Sequence, residues 1–188
     1  MRKLFRTGAS AGLLLWVAGC AVAPAPPDGG EPSNRRLYLV RHGTAQPADA
    51  DPARPLTATG TAEVKRVAAF LRPLGLRVGA VWHSGLTRAR QTAGLLAPAF
   101  TADGGIGALE GLKPRDPVEP FLVRLTAARS NLVVVGHRPW LAALAATLLG
   151  AGTSGSPVDF AEGGVVCLEA GDGGAWRVKW MVTPELVR

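Results

Sequence analysis

The chain has 188 residues, 47% of them apolar and 19% charged, which excludes a disordered polymer and fits one domain with a buried core. Its formal charge of +7 points to an anionic partner. Nucleic acid is disfavoured, because the basic residues do not interleave with aromatic ones and Tyr38 is the only tyrosine. Two cysteines cannot build a disulfide framework, and no Cys/His cluster has zinc-site spacing.

The N-terminus opens with Arg2, Lys3 and Arg6 and no acid, followed by an apolar run through Leu13, Leu14, Leu15, Trp16 and Val17. A basic start, a short apolar core and small residues at its end make a secretory signal over residues 1–19. Val17-Ala18-Gly19-Cys20 also resembles the lipobox of bacterial lipoproteins. That resemblance implies cleavage before Cys20, lipidation of its sulfur and a membrane anchor in the cell envelope, with the outer membrane or periplasm as the destination. Residues 20–35 then read as the lipidated cysteine and a flexible linker carrying Pro24, Pro26, Pro27, Gly29, Gly30 and Pro32. Residues 36–188 are the expected folded domain.

Within it, Leu37–Val40 is a short apolar strand ending at Arg41-His42-Gly43-Thr44. A Pro-rich loop with Asp49 and Asp51 follows. Thr57 or Thr59 caps a helix with Val64, Val67, Ala68 and Leu71 on one face, closed by Pro73 and Gly75. Val78–Trp82 reads as a second strand, Leu86–Ala97 as a second helix, and residues 99–116 as irregular. Pro117–Arg129 fits a third helix with proline at its start, Asn131–Val135 a buried strand, and Pro139–Leu149 an apolar helix. Two closing strands, Gly163–Glu169 and Trp176–Val182, flank the turn from Gly171 to Gly174. The pattern predicts a three-layer α/β/α sandwich, mostly parallel, with an antiparallel edge.

Three strands run directly into polar segments: Arg41-His42-Gly43, His83-Ser84-Gly85-Leu86-Thr87-Arg88 and Gly136-His137-Arg138-Pro139. Ligand sites of open α/β sheets lie beyond the strands' carboxyl ends, so all three histidines gather at one edge. Arginine forks match phosphate oxygens and stay charged. An unprotonated histidine can attack phosphorus, and a protonated one can donate to the oxygens where charge builds. Helices starting after Gly85 and Gly136 add backbone N–H groups. This chemistry needs no metal or other cofactor.

The same segments resemble the signature of the histidine phosphatase superfamily, also called the phosphoglycerate-mutase-like family. The likeness runs from Leu39-Val40-Arg41-His42-Gly43-Thr44 through Pro55-Leu56-Thr57 with Gly60, then Ser84 to Ala93, to Val134-Val135-Gly136-His137-Arg138-Pro139. It spans residues 36 to 182, and the short chain is most similar to the SixA-type phosphohistidine phosphatases. The resemblance implies His42 as nucleophile, with Arg41, Arg88 and His137 on the phosphoryl group. It favours Arg88 over Arg90, which reads as a solvated helix face. Ser84 either hydrogen-bonds within the pocket or is a turn residue; Thr44 either donates to a phosphate oxygen or ends its strand.

Two positions depart from the family pattern. His83-Ser84-Gly85-Leu86 stands where the family often has Ser-Ser-Pro-Leu, and His83 either adds a third imidazole near the pocket rim or, the favoured reading, faces away or stands behind the pocket's lining. For the proton donor, Glu110 lies in the right region but reads equally as a surface carboxylate, with Asp49 and Asp51 weaker candidates. A phosphoramidate nitrogen leaves easily without such an acid, whereas an alkoxide does not. The expected partner is a small phosphorylated substrate or a phosphoprotein. The competing expectation is a non-catalytic phosphate-binding lipoprotein on the same scaffold. Trp140 is a candidate for the pocket wall, and Cys167 reads as a buried apolar residue.

Overall fold

A computed structural model describes residues 35–151, 156–171 and 174–187. The expected signal segment, Cys20 and residues 172–173 of the expected turn lie outside these. In chain order the elements are β1 (Arg36–Arg41), α1 (Ala58–Leu71), β2 (Leu76–Val78), β3 (Ala80–His83), α2 (Thr87–Leu96), β4 (Phe100–Ala102), β5 (Ile106–Ala108), α3 (Glu119–Ala127), β6 (Leu132–Gly136), α4 (Arg138–Leu148), β7 (Val165–Ala170) and β8 (Trp176–Val182). The main sheet has the order β5-β3-β6-β1-β7-β8. Its first four strands are parallel, and β7 and β8 form the antiparallel edge. This is the expected α/β class, with a core on each face.

Alternation along β1 explains the two cores. Leu37 and Leu39 face one side with Leu132, Val134, Val166 and Leu168, and α3 and α4 cover them with Phe121, Leu125, Leu141 and Leu144. Tyr38 and Val40 face the other side with Val133, Val135, Val165 and Cys167, beneath α1 and α2. Each fully buried aliphatic side chain contributes about 2 kcal/mol relative to exposure. The α1 face of Val64, Val67, Ala68 and Leu71 is buried, and the Thr57 side chain caps the helix by accepting from the Gly60 N–H.

Several elements differ from the sequence expectation. The strand expected over Val78–Trp82 breaks at Gly79, whose N–H donates to Asn131 O and whose carbonyl accepts from Gly104. A Cβ at Gly79 would lie 2.0 Å from Ser130 Oγ, so a larger residue there would have to push the Ser130 side chain aside. On one side of the break β2 pairs with β4 in a separate two-stranded sheet; on the other β3 joins the main sheet. Residues 99–116 are not wholly irregular, since β4 and β5 lie there, each too short to show a period. The third helix starts at Glu119, with Pro120 rather than Pro117 in its first turn. Trp140 is a core residue and not a pocket wall: it is 1% exposed, with its ring edge-on to Phe121.

Candidate active site

β1 and β6 are adjacent and parallel, and their registered ends Arg41 and Gly136 place His42 beside His137. The His42 N–H donates to Gly136 O across the gap. The two imidazoles stand 5.1 Å apart between centroids. The start of α2 brings Arg88 and Ser84 to the same place.

The hydrogen bonds define which ring nitrogens carry protons. His42 Nδ1 lies 2.8 Å from the Gly43 carbonyl, which can only accept, so Nδ1–H donates and the neutral ring keeps its lone pair on Nε2. Burial, then the Arg88 and Arg41 charges, lower the His42 pKa below its ordinary value, against the Gly43 carbonyl and Glu162, which raise it. Arg88 can only donate, so His137 Nδ1 accepts from it at 3.4 Å and Nε2–H donates to Ser84 Oγ at 2.7 Å. His137 is pushed down to about 3, first by burial and then by Arg88. The resting site therefore holds His137 neutral, a protonation state the sequence left open. The physical reason is the cations packed around a buried ring.

Arg88 is 9% exposed, and among the described residues no carboxylate pairs with it. Arg90, two residues on, is exposed. Helical geometry separates the pair: Arg88 packs inward beside Ala89, whereas Arg90 points to solvent. Arg41 is already engaged. Its Nη1 donates to Phe160 O at 2.9 Å and its Nη2 to Glu162 Oε1 at 2.7 Å, while its buried Nε has no hydrogen-bond partner among the described residues. The N-cap residues of α2 and α4, Leu86 and His137, make no side-chain cap hydrogen bond, so the N–H groups of the first turns, Pro139 apart, remain available to an anion.

Other expected residues lie further out. The Thr44 hydroxyl is 3.5 Å from Glu63 on α1. His83 is buried, with its Nδ1 accepting from the Gly85 N–H at 3.1 Å. Burial, then the Arg90 charge, lower its pKa. Glu110 is exposed and lines a cleft of about 490 Å³ with Ser84, Leu109, Lys113 and Asp116. Asp49 and Asp51 accept from the nearby backbone N–H groups of Ala50 and Ala53. Cys167 is buried and unpaired, its thiol pushed up to about 12 by burial.

Sequence reasoning missed three participants. Thr92, fully buried, accepts from the Gly43 N–H at 3.0 Å and donates to Arg88 O at 2.8 Å, tying the His42 loop to α2. Arg54 stands at a positive φ of 49°, unusual for a side-chain-bearing residue, and its charge lowers both Arg88 and His137. Glu162, in the turn before β7, holds Arg41. A threonine two turns from a strand end and an acid 120 residues downstream carry no local signal.

The model of the histidine phosphatase superfamily (branch 1) matches residues 37–116. An uncharacterised protein from Picosynechococcus is 37% identical over 146 residues, covering 72% of this chain and 85% of that one. Among solved structures, the protein histidine phosphatase SixA complexed with tungstate superposes with a TM-score of 0.69 at 24% identity, over 80% of this chain and 98% of that one. A putative phosphohistidine phosphatase SixA from Agrobacterium tumefaciens gives 0.64 at 25%, with 80% and 98% covered. The α/β fold thus has counterparts among solved structures. This chain belongs to the histidine phosphatase superfamily.

Proposed function

We propose that the chain is a phosphatase that hydrolyses a phosphomonoester or phosphohistidine through a covalent intermediate on His42. The observation that carries this reading is Arg88: a buried guanidinium with no carboxylate among the described residues, beside a histidine whose Nε2 is unprotonated. A buried cation without a counter-charge is costly unless an anion completes the site.

In the first step His42 Nε2 forms a bond to phosphorus as the bond to the leaving group breaks. Arg88, Arg41 and the α2 and α4 N-termini take up charge on the phosphoryl oxygens. A dianion bound beside Arg88 offsets the cationic field, so His137 gains proton affinity, and its Nδ1, which accepts from Arg88 in the free site, takes up a proton and donates as well. Water then attacks phosphorus, the N–P bond breaks, and inorganic phosphate leaves with His42 restored. The full chain is expected to release phosphate from an aryl phosphate in EDTA, and labelled phosphoryl is expected on His42 after an acid-free quench. Phosphate binding without label or turnover supports the non-catalytic binder instead.

Glu110 lines one cleft with Ser84, the hydrogen-bond partner of His137, which supports it as the proton donor to a leaving group seated there. Replacing Glu110 with Gln is expected to cost alkyl phosphate turnover about 10²-fold, while an aryl phosphate, whose leaving group needs no proton, changes little. Equal losses on both substrates would remove Glu110 from the proton-donor role.

The lipid anchor on Cys20 belongs to the same reading and rests on the Val17–Cys20 motif. It places the enzyme in the cell envelope and favours a small exported phosphate ester as substrate. Cys20→Ala expressed in a bacterial host should abolish incorporation of labelled palmitate and move the protein to the soluble fraction. Retained label would exclude the anchor.

A further inference from the structure

Arg41 and Glu162 form an ion pair at the phosphoryl site that the reaction scheme does not use. The turn carrying Glu162 is fastened to the nucleophile segment. The Gly163 N–H is shared between Arg41 O at 3.1 Å and His42 O at 3.2 Å, and the Phe160 carbonyl accepts from Arg41 Nη1 at 2.9 Å. Gly163 adopts φ 72°, a conformation that favours glycine. The backbone of this turn is therefore fixed against His42 independently of the Glu162 side chain.

The two partners are not held equally. Arg41 keeps the Phe160 carbonyl if it loses Glu162. Glu162 has no other cation among the described residues, and its side chain is 33% exposed. Its carboxylate can rotate into water at small cost, whereas the guanidinium stays. Glu162 is also near enough for its charge to act on His42.

We infer that Glu162 is an internal competitor for the phosphoryl group, occupying an Arg41 N–H that a phosphate oxygen takes when substrate binds. The inference rests on the phosphatase reading of the site. Two effects act in the same direction. A phosphoryl oxygen must displace the carboxylate from Arg41, and the remaining charge on Glu162 repels the dianion. Glu162 thereby weakens retention of inorganic phosphate, the product, and sets the affinity of the site for its anion.

Inorganic phosphate is the probe, measured by calorimetry on the full chain and as product inhibition of aryl phosphate hydrolysis. Glu162→Gln keeps the shape and removes the charge. It is expected to tighten phosphate about threefold or more, the size appropriate to a partly exposed pair. The KM for an aryl phosphate falls with it, while kcat stays within about twofold or declines as product release slows. Glu162→Asp retains the charge and is expected to bind phosphate as the parent does. Glu162→Thr serves as a second uncharged variant should the glutamine form not fold, with the same tightening expected.

A purely structural role, holding Arg41 in place, gives the opposite sign: phosphate affinity drops and KM rises in the uncharged variants. That result, or no change, overturns the inference. Absence of phosphate binding in the parent chain overturns the phosphatase reading itself, a different failure. Tightening in Glu162→Gln or Glu162→Thr but not in Glu162→Asp supports the competitor.

Discussion

Replacing His42 by alanine is expected to abolish phosphate release and phosphoryl labelling together, with kcat down at least about 10³-fold. The size follows from the geometry. His42 supplies the attacking lone pair on Nε2, because Nδ1–H is committed to the Gly43 carbonyl. His137 does not replace it: its Nδ1 faces Arg88 and its Nε2–H faces Ser84. Circular dichroism on the variant separates lost chemistry from lost fold. Undiminished turnover in His42→Ala would end the covalent mechanism.

Arg88→Ala is expected to lower kcat/KM by about 10²–10³-fold, the range for removing a donor aimed at transition-state charge in a dry site. A second readout comes from pH. Arg88 lowers the proton affinity of both His42 and His137. Without that positive charge both values rise, and His42 then loses its proton only at higher pH. The acid limb of kcat/KM, which reports the free enzyme, therefore moves upward. Arg88→Lys keeps the charge but not the fork, so it should preserve the limb while losing part of the rate. Arg90→Ala should leave both nearly unchanged, since that side chain is solvated. A larger loss from Arg90→Ala than from Arg88→Ala would reassign the phosphate ligand.

The parts legible in sequence were those written in local patterns. Apolar runs at Leu37–Val40 and Leu132–Val135 announced the buried parallel strands, and reactive residues directly after them announced the edge where a site forms. Burial then separates Arg88 from Arg90, which spacing alone left to the family likeness. What was hidden depends on contacts between distant segments. β4 and β5 exist because neighbouring strands offer them partners, and three residues are too few to carry a period. Thr92 matters through the Gly43 N–H and the Arg88 carbonyl, and Glu162 through a turn laid across His42. The neutral state of His137 is likewise a collective property of burial and surrounding arginines.

The alternation of β1 has a consequence for folding fidelity. The strand commits Leu37 and Leu39 to one core and Tyr38 and Val40 to the other, then delivers Arg41 and His42. A slip of one residue would exchange the two sets of side chains and carry the nucleophile about 3.3 Å out of line with His137. The side chains that would resist the slip are the ones that aim the imidazole. Errors of threading are thus converted into instability before they can become a sluggish or misdirected enzyme. Specific activity of a purified sample then counts correctly assembled molecules.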